Sequence, residues 1–221
     1  MGEPWLLIET SGRGGQVGVA VGGVVARRAD LDPARRHNRD LAPTATRLLG
    51  QAGVGFRELH GVMVSVGPGS YTGLRVGVMS AKAVAYATGC RLVAVPTFAV
   101  IAEQLADGND LLVIGDALNG QVYAQRFRRA GGWVAEGLGI RPAAEVLPAL
   151  AAGSWVGGPA VEAFAGLIPA GVHHAPQETR TPGLDAMLRV GLRVSPLGRE
   201  EVFGLEPLYL RGSSAEEKLQ G

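Results

Sequence analysis

Residues 60–77 read "HGVMVSVGPGSYTGLRVG": the end of a strand, a glycine turn and the opening of a helix in one stretch. Val62, Val64 and Val66 alternate along the approach, as a strand requires, and Gly67, Pro68 and Gly69 punctuate it. Ser70 or Thr72 is placed to cap a helix from about Tyr71 to Thr88, with Gly89 as its stop. Gly67, Gly69 and Gly73 are spaced G-x-G-x-x-x-G, one residue longer than the dinucleotide fingerprint, and Val93 stands where that motif places an acid. Without a Gly-Lys-Ser/Thr ending the turn is no P-loop either, so close packing is its expected use. Gly73, Gly77, Ala81 and Ala85 fall along one stripe of the helix, whose only charges are Arg75 and Lys82. A helix this apolar all round must be covered on more than one side, by its own core and by another helix or another protein.

The same order of elements occurs twice. Apolar strands at Trp5–Glu9, Gln16–Val21 and Val24–Ala29, joined by turns at Gly12–Gly15 and Gly22–Gly23, precede a helical segment reaching about Ala52. In the second half, Leu111–Asp116, Gln121–Arg128 and Trp133–Ile140 are joined by Asn119–Gly120 and Gly131–Gly132 and lead into "PAAEVLPALAA". Asn-Gly and Gly-Gly between apolar runs are hairpin signals. The strand, glycine turn and helix of residues 60–77 have their counterpart in "SWVGGPAVEAF", Ser154–Phe164. The expected fold is α/β, a duplicated β-β-β-α-β-α unit, with subdomains 1–107 and 108–221 meeting near "LADGND". That duplication resembles the sugar kinase, heat-shock chaperone and actin superfamily, the actin-like ATPase fold. The resemblance places Glu9 and Asp116, at the first strand of each half, toward a nucleotide and its metal.

Composition narrows the function. With 21 basic and 20 acidic residues the net charge is +1, short of the basic surface that holding nucleic acid unaided requires. A single cysteine, Cys90, forms no internal disulfide and points to a reducing compartment. No targeting signal stands at the N-terminus, and the longest apolar stretch, Val76–Ala87, is broken by Lys82, so a soluble cytoplasmic protein is expected. His37, His60, His173 and His174 lack the H-x-x-x-H spacing of a helical metal site, and the adjacent pair reads as a solvated loop. Ser11 and Ser70 have no locally placed base.

Leu41, Ala45, Leu48, Leu49 and Ala52 make an amphipathic stripe after "DPARRHNRD", with Pro43 tolerable only near the first turn; this helix begins close to Asn38 or Asp40. At this point "GPGSYTGLRVGV" resembles the signature of the bacterial TsaB family of tRNA threonylcarbamoyladenosine biosynthesis proteins. "ETS" at Glu9–Ser11, "HNRDLAPTATRLL" from His37, "IGDALNGQVYAQRF" from Ile114 and "EPLYLRGSSAEEKL" from Glu206 match it in order, and residues 140–200 match weakly. The resemblance implies a subunit without catalysis of its own, metal-free, pairing with a homologous catalytic subunit, TsaD, and an ATPase, TsaE. ATP and Mg²⁺ are expected on those partners, and tRNA reaches this chain through the assembly. That assembly transfers threonylcarbamoyl to N6 of adenosine 37 in tRNAs reading codons that begin with A.

Pairing in this family uses the two N-terminal helices, and the same surface makes a homodimer when the chain is alone. Carried onto this sequence, the first helix contributes His37, Leu41, Ala45 and Leu48. The loop and second helix contribute Gly69, Tyr71, Thr72, Gly73, Arg75, Gly77 and Ala81. Two departures stand out: Glu9 replaces the usual Asp, and Leu118-Asn119 stand where basic residues are common. A competing reading makes the chain an ATP-dependent small-molecule kinase or nucleotide hydrolase, with Mg²⁺ on Glu9 and Asp116. Against it, only Arg13 lies near the first turn to meet phosphate. The plainer reading leaves Glu9, with Ser11, and Asp116 as vestiges of a nucleotide cleft, bonded to backbone turns.

Overall fold

A computed structural model describes residues 2–32 and 40–210. The chain forms β1 (Trp5–Glu9), β2 (Gln16–Val21), β3 (Val24–Asp30), α1 (Leu41–Gln51), β4 (Gly61–Ser65), α2 (Tyr71–Thr88), β5 (Arg91–Val95) and α3 (Thr97–Glu103). It continues with β6 (Asp110–Asp116), β7 (Gln121–Arg129), β8 (Trp133–Pro142), α4 (Ala143–Val146), β9 (Trp155–Gly157), β10 (His173–His174), α5 (Leu184–Gly191) and α6 (Arg199–Gly204).

The first sheet is ordered β3-β2-β1-β4-β5 and the second β10-β9-β6-β7-β8, the same arrangement read from opposite edges. In each, three strands meander antiparallel and the next pairs in parallel with the first: β4 beside β1, β9 beside β6. The duplicated α/β architecture expected from the sequence is present, with a fifth strand closing each sheet beyond the β-β-β-α-β-α order.

The described residues divide into two compact units, one running to Thr97 and taking in residues 183–208, the other residues 98–182 with 209–210. This corrects the expected boundary: α5 and α6 return to the first unit. The reason lies in the first sheet, which is apolar on both faces. Leu6, Ile8, Val62 and Val64 lie in one core with Leu41, Ala45, Leu48 and Leu49 of α1 and Val78 and Ala81 of α2. The other face needs a cover, and α5 supplies it; a Cβ on Gly191 would stand 2.4 Å from the Met63 sulfur. Strands apolar on both faces require a layer on each side.

Local signals set the ends of α2 as expected: the Ser70 side chain accepts from the Gly73 N–H, and Gly89 takes the left-handed conformation. Helix α1 starts at Leu41, which leaves Pro43 in its first turn. In the second unit, Phe98, Ile101, Leu111, Val113 and Phe127 share one core, and Ile114, Val122, Leu147 and Val156 another. Two expected helices shrink there. "PAAEVLPALAA" is helical only over Ala143–Val146, because Pro148 has no N–H with which to continue the ladder past Leu147. After β9 the chain turns through Gly158, at φ 102°, and reaches only a 3-10 turn at Ala165–Leu167. His173-His174 is no loop: the pair forms edge strand β10, with the His173 N–H donating to Ser154 and the Ala175 N–H to Val156. Among the described residues no helix is long and apolar enough to cross a membrane.

Candidate functional site

The C-terminal end of β1 and the glycine turn after β4 are packed backbone to backbone. The Ser70 N–H donates to the Ser11 carbonyl at 2.7 Å, and a Cβ on Gly69 would lie 2.4 Å from that same oxygen. One turn into α2, a Cβ on Gly73 would stand 2.1 Å from the Thr10 carbonyl oxygen, and one on Gly77 would stand 2.2 Å from Thr10 Oγ1. Only glycine admits such an approach. Thr97 ties the turn from beneath: its hydroxyl accepts from the Gly67 N–H at 3.1 Å and its own N–H donates to the Gly67 carbonyl at 2.9 Å. The turn is a clasp between strand and helix, which is the use the sequence suggested.

Glu9, 2% exposed, spends one carboxyl oxygen on its own turn: Oε1 accepts from the Ser11 N–H at 2.6 Å and from Ser11 Oγ at 2.5 Å. Oε2 is buried and has no hydrogen-bond partner among the described residues, as is Thr10 Oγ1. Burial raises the Glu9 pKa above its ordinary value, with the hydrogen bonds from Ser11 pulling less strongly downward. Oε2 is therefore the place for a proton. In the second unit Asp116 repeats the arrangement, its Oδ1 accepting from the Leu118 N–H at 2.8 Å. Leu118 and Asn119 hold positive φ, 64° and 52°, to make that turn. Each acid thus engages the backbone two residues on through one of its carboxyl oxygens, Glu9 by Oε1 and Asp116 by Oδ1. Among the described residues no three His, Cys, Asp or Glu side chains gather as a metal site.

A carboxyl that prefers its proton in the fold contributes stability at low pH, and that contribution fades as pH rises from the ordinary glutamate value through the raised folded one. Each unit of the elevation is worth about 1.4 kcal/mol. Glu9→Gln keeps an acceptor for Ser11 and has no proton to lose. It should therefore flatten this part of the stability–pH curve and melt higher than the wild type at mildly alkaline pH. Denaturant titrations from pH 5 to 8 on both proteins check it; parallel curves would contradict a protonated Glu9.

The helix residues named from sequence separate into two groups. Leu41, Ala45 and Leu48 of α1 and Gly73, Gly77 and Ala81 of α2 face their own sheet; Ala81 is 0% exposed. The expectation that the small-residue stripe meets a partner is corrected: close helix–sheet packing, rather than helix–helix packing between proteins, is what required small residues. Gly69 is turned onto Ser11. Thr72 and Arg75 are exposed, and the Arg75 guanidinium lies 4.9 Å over the part-buried Tyr71 ring. His37 lies outside the described residues, as do Asn38 and the tail beyond Leu210.

Sequence reasoning passed over the opposite face of α2. Met79 is 62% exposed and Tyr86 76%, with Ala83 and Ala87 exposed and Val76 half-buried beside them. Residues 72, 76, 79, 83, 86 and 87 follow helical spacing, so this outer stripe was readable once the inner one was assigned to the core. It runs the length of the helix, flanked by Arg75 and Lys82, the kind of contiguous apolar surface that marks an interaction site.

A family model described as "TsaD: tRNA N6-adenosine threonylcarbamoyltransferase" matches residues 15–195. The tRNA threonylcarbamoyladenosine biosynthesis protein TsaB of Escherichia coli is 26% identical over 227 residues, 98% of each chain. A tRNA N6-adenosine threonylcarbamoyltransferase of Cereibacter sphaeroides is 37% identical over 155 residues, 66% of this chain and 41% of that one. An uncharacterized protein of Mycobacterium tuberculosis is 34% identical over 128 residues, so the match spans little more than half of either chain, 57%. In fold, the chain is similar to YeaZ from Pseudomonas aeruginosa, TM-score 0.79 at 20% identity, covering 94% of this chain and 100% of that one.

Proposed function

This chain belongs to the tRNA N6-adenosine threonylcarbamoyltransferase (TsaD) family, and from that premise we propose that it is a docking subunit in tRNA threonylcarbamoyladenosine biosynthesis. The similarity to TsaB of Escherichia coli along 98% of both chains supports this place in the pathway. The observation that carries the docking role is the outer face of α2: Met79, Ala83 and Tyr86 lie exposed along one side of an 18-residue helix whose other side is already in the core. Leaving Met79 and Tyr86 in water forfeits about 1.5–3 kcal/mol per side chain, which a partner recovers.

The partner is a TsaD-like catalytic subunit, with a TsaE-like ATPase completing the complex in the cytoplasm. This chain contributes surface; the reacting groups belong to the relative. Glu9 and Asp116, each bonded to its own turn, fit a subunit that leaves nucleotide and metal chemistry to others.

Given threonylcarbamoyl-adenylate and unmodified tRNA, the pure chain is expected to leave adenosine 37 untouched, and adding the catalytic relative should restore transfer. Mass spectrometry of the digested tRNA reads both outcomes. Modified nucleoside made by the pure chain alone would overturn the docking role.

A further inference from the structure

On the second sheet the covering layer stops short. The repeat puts a helix after the third strand of each half, but α1 runs 11 residues and α4 only 4. Beside α4 lies a cleft of about 240 Å³. Buried Leu112 and Ala124 of the sheet and half-buried Val146 and Leu150 line it, and the guanidinium groups of Arg126 and Arg141 share its rim. An extra residue in β8 shapes the opening. Ala124 pairs with Gly139 but Arg126 with Glu136, so Gly137 and Leu138 together face Gln125, and Gly137 takes φ 42°. A Cβ on Gly137 would meet nothing within 4 Å, so the space beside it is open.

The two arginines differ in their charge partners. Asp110 holds Arg126 through two hydrogen bonds, one from Nε at 2.6 Å and one from Nη2. Arg141 has no carboxylate partner among the described residues. Its guanidinium lies over Gly139, whose Cβ would stand 3.7 Å from Cζ, and makes one long contact of 3.4 Å to the Ile140 carbonyl. The other carboxylates of these elements do not balance it. Glu136 pairs with Arg128, and Glu145 is exposed on α4 and does not line the cleft. One positive charge is left at the mouth of an apolar hollow.

We infer that this cleft binds a small amphiphilic monoanion: Arg141 takes a carboxylate, and Leu112, Ala124, Val146 and Leu150 take a short aliphatic chain. The planar fork of a guanidinium matches a carboxylate, and one uncompensated cation balances one negative charge. The volume is below the roughly 300–1,000 Å³ of sites for drug-sized ligands, which suits a smaller molecule. Main-chain chemistry argues against a peptide. Leu112 and Ala124 belong to β6 and β7, interior strands whose backbone groups are spent on their neighbours, so a peptide's own N–H and C=O groups find no partners on that floor. A carboxylate with an aliphatic chain needs none.

The test titrates hexanoate into the full-length chain and follows the methyl NMR signals of Leu112, Ala124 and Leu150, with melting curves for every variant. Those signals should move with a dissociation constant of about 1 mM or below. Acetate, which lacks the chain, and hexanol, which lacks the charge, should each bind about tenfold more weakly or worse. Arg141→Met keeps the apolar stem and loses the donors; it should weaken hexanoate about tenfold or more with an unchanged melting temperature, because Arg141 is exposed. Ala149→Phe, at an exposed position lining the cleft, should fill it and abolish binding in a protein that still folds. Methyl signals that stay still at about ten times that concentration overturn the site. Hexanol binding as tightly as hexanoate, or full affinity in Arg141→Met, overturns the anion. Binding that survives Ala149→Phe puts the ligand elsewhere and overturns the cleft. If the blocked peptide acetyl-Leu-Glu-amide binds more tightly than hexanoate, the occupant is a protein segment and the small-molecule assignment falls.

Discussion

Substituting Ala81 by arginine is expected to abolish cooperative folding of the first unit. Ala81 is fully buried beneath α2, in one core with Leu6, Ile8, Val62 and Leu48. At 0% exposure and among apolar side chains, a guanidinium there loses its water. An unpaired buried charge costs about 5 kcal/mol or more, and forcing its volume into a packed core adds about 1–3 kcal/mol. A domain's whole stability is about 5–15 kcal/mol. Far-UV circular dichroism on heating should show a broad, early loss of structure, or material recovered only from inclusion bodies. Gly73→Val should act similarly, because its Cβ would collide with the Thr10 backbone carbonyl rather than with a side chain able to turn away. A soluble Ala81→Arg protein melting like the wild type would contradict the packing of α2 on its sheet.

Met79→Asp, two residues earlier on the same helix, is expected to do the reverse. Met79 is exposed, so a carboxylate there meets water in the monomer and the melting temperature should move by no more than a degree or two. In a complex the same carboxylate is stranded among Val76, Ala83 and Tyr86 and whatever covers them. The loss should reach about a hundredfold or more in affinity for the catalytic relative, in the range found when central interface anchors are replaced. Calorimetric titration of the relative into wild type and variant measures it. Unchanged affinity would remove the outer face of α2 from the interface. The pair of substitutions separates the two sides of one helix: the first changes folding, the second changes association.

Much of the molecule was legible in one dimension because its signals are local. Alternating apolar residues bounded by Gly-Gly and Asn-Gly turns place β1, β2, β6 and β7 to within a residue, and Ser70 with Gly89 delimits α2, because strand period, caps and turn chemistry act over a few neighbours. The internal repeat follows from the same signals occurring twice. Where the local signal was weak, the expectation failed: Pro148 cut short the helix read into "PAAEVLPALAA", and the turn at Gly158 was not followed by one.

By itself, then, the sequence determined the duplicated architecture, the strand–clasp–helix at residues 60–77 and the family to which those motifs belong. The tertiary structure alone decided which side of α2 faces inward, where α5 and α6 dock, and how Glu9 is spent. A stripe of small residues records only that some backbone comes close. Whether that backbone is the chain's own strand β1 or another protein's helix depends on contacts between residues far apart in sequence, such as Gly73 with Thr10. Burial of Glu9 is likewise a property of the elements packed around it, and no pattern of neighbours along the chain encodes it.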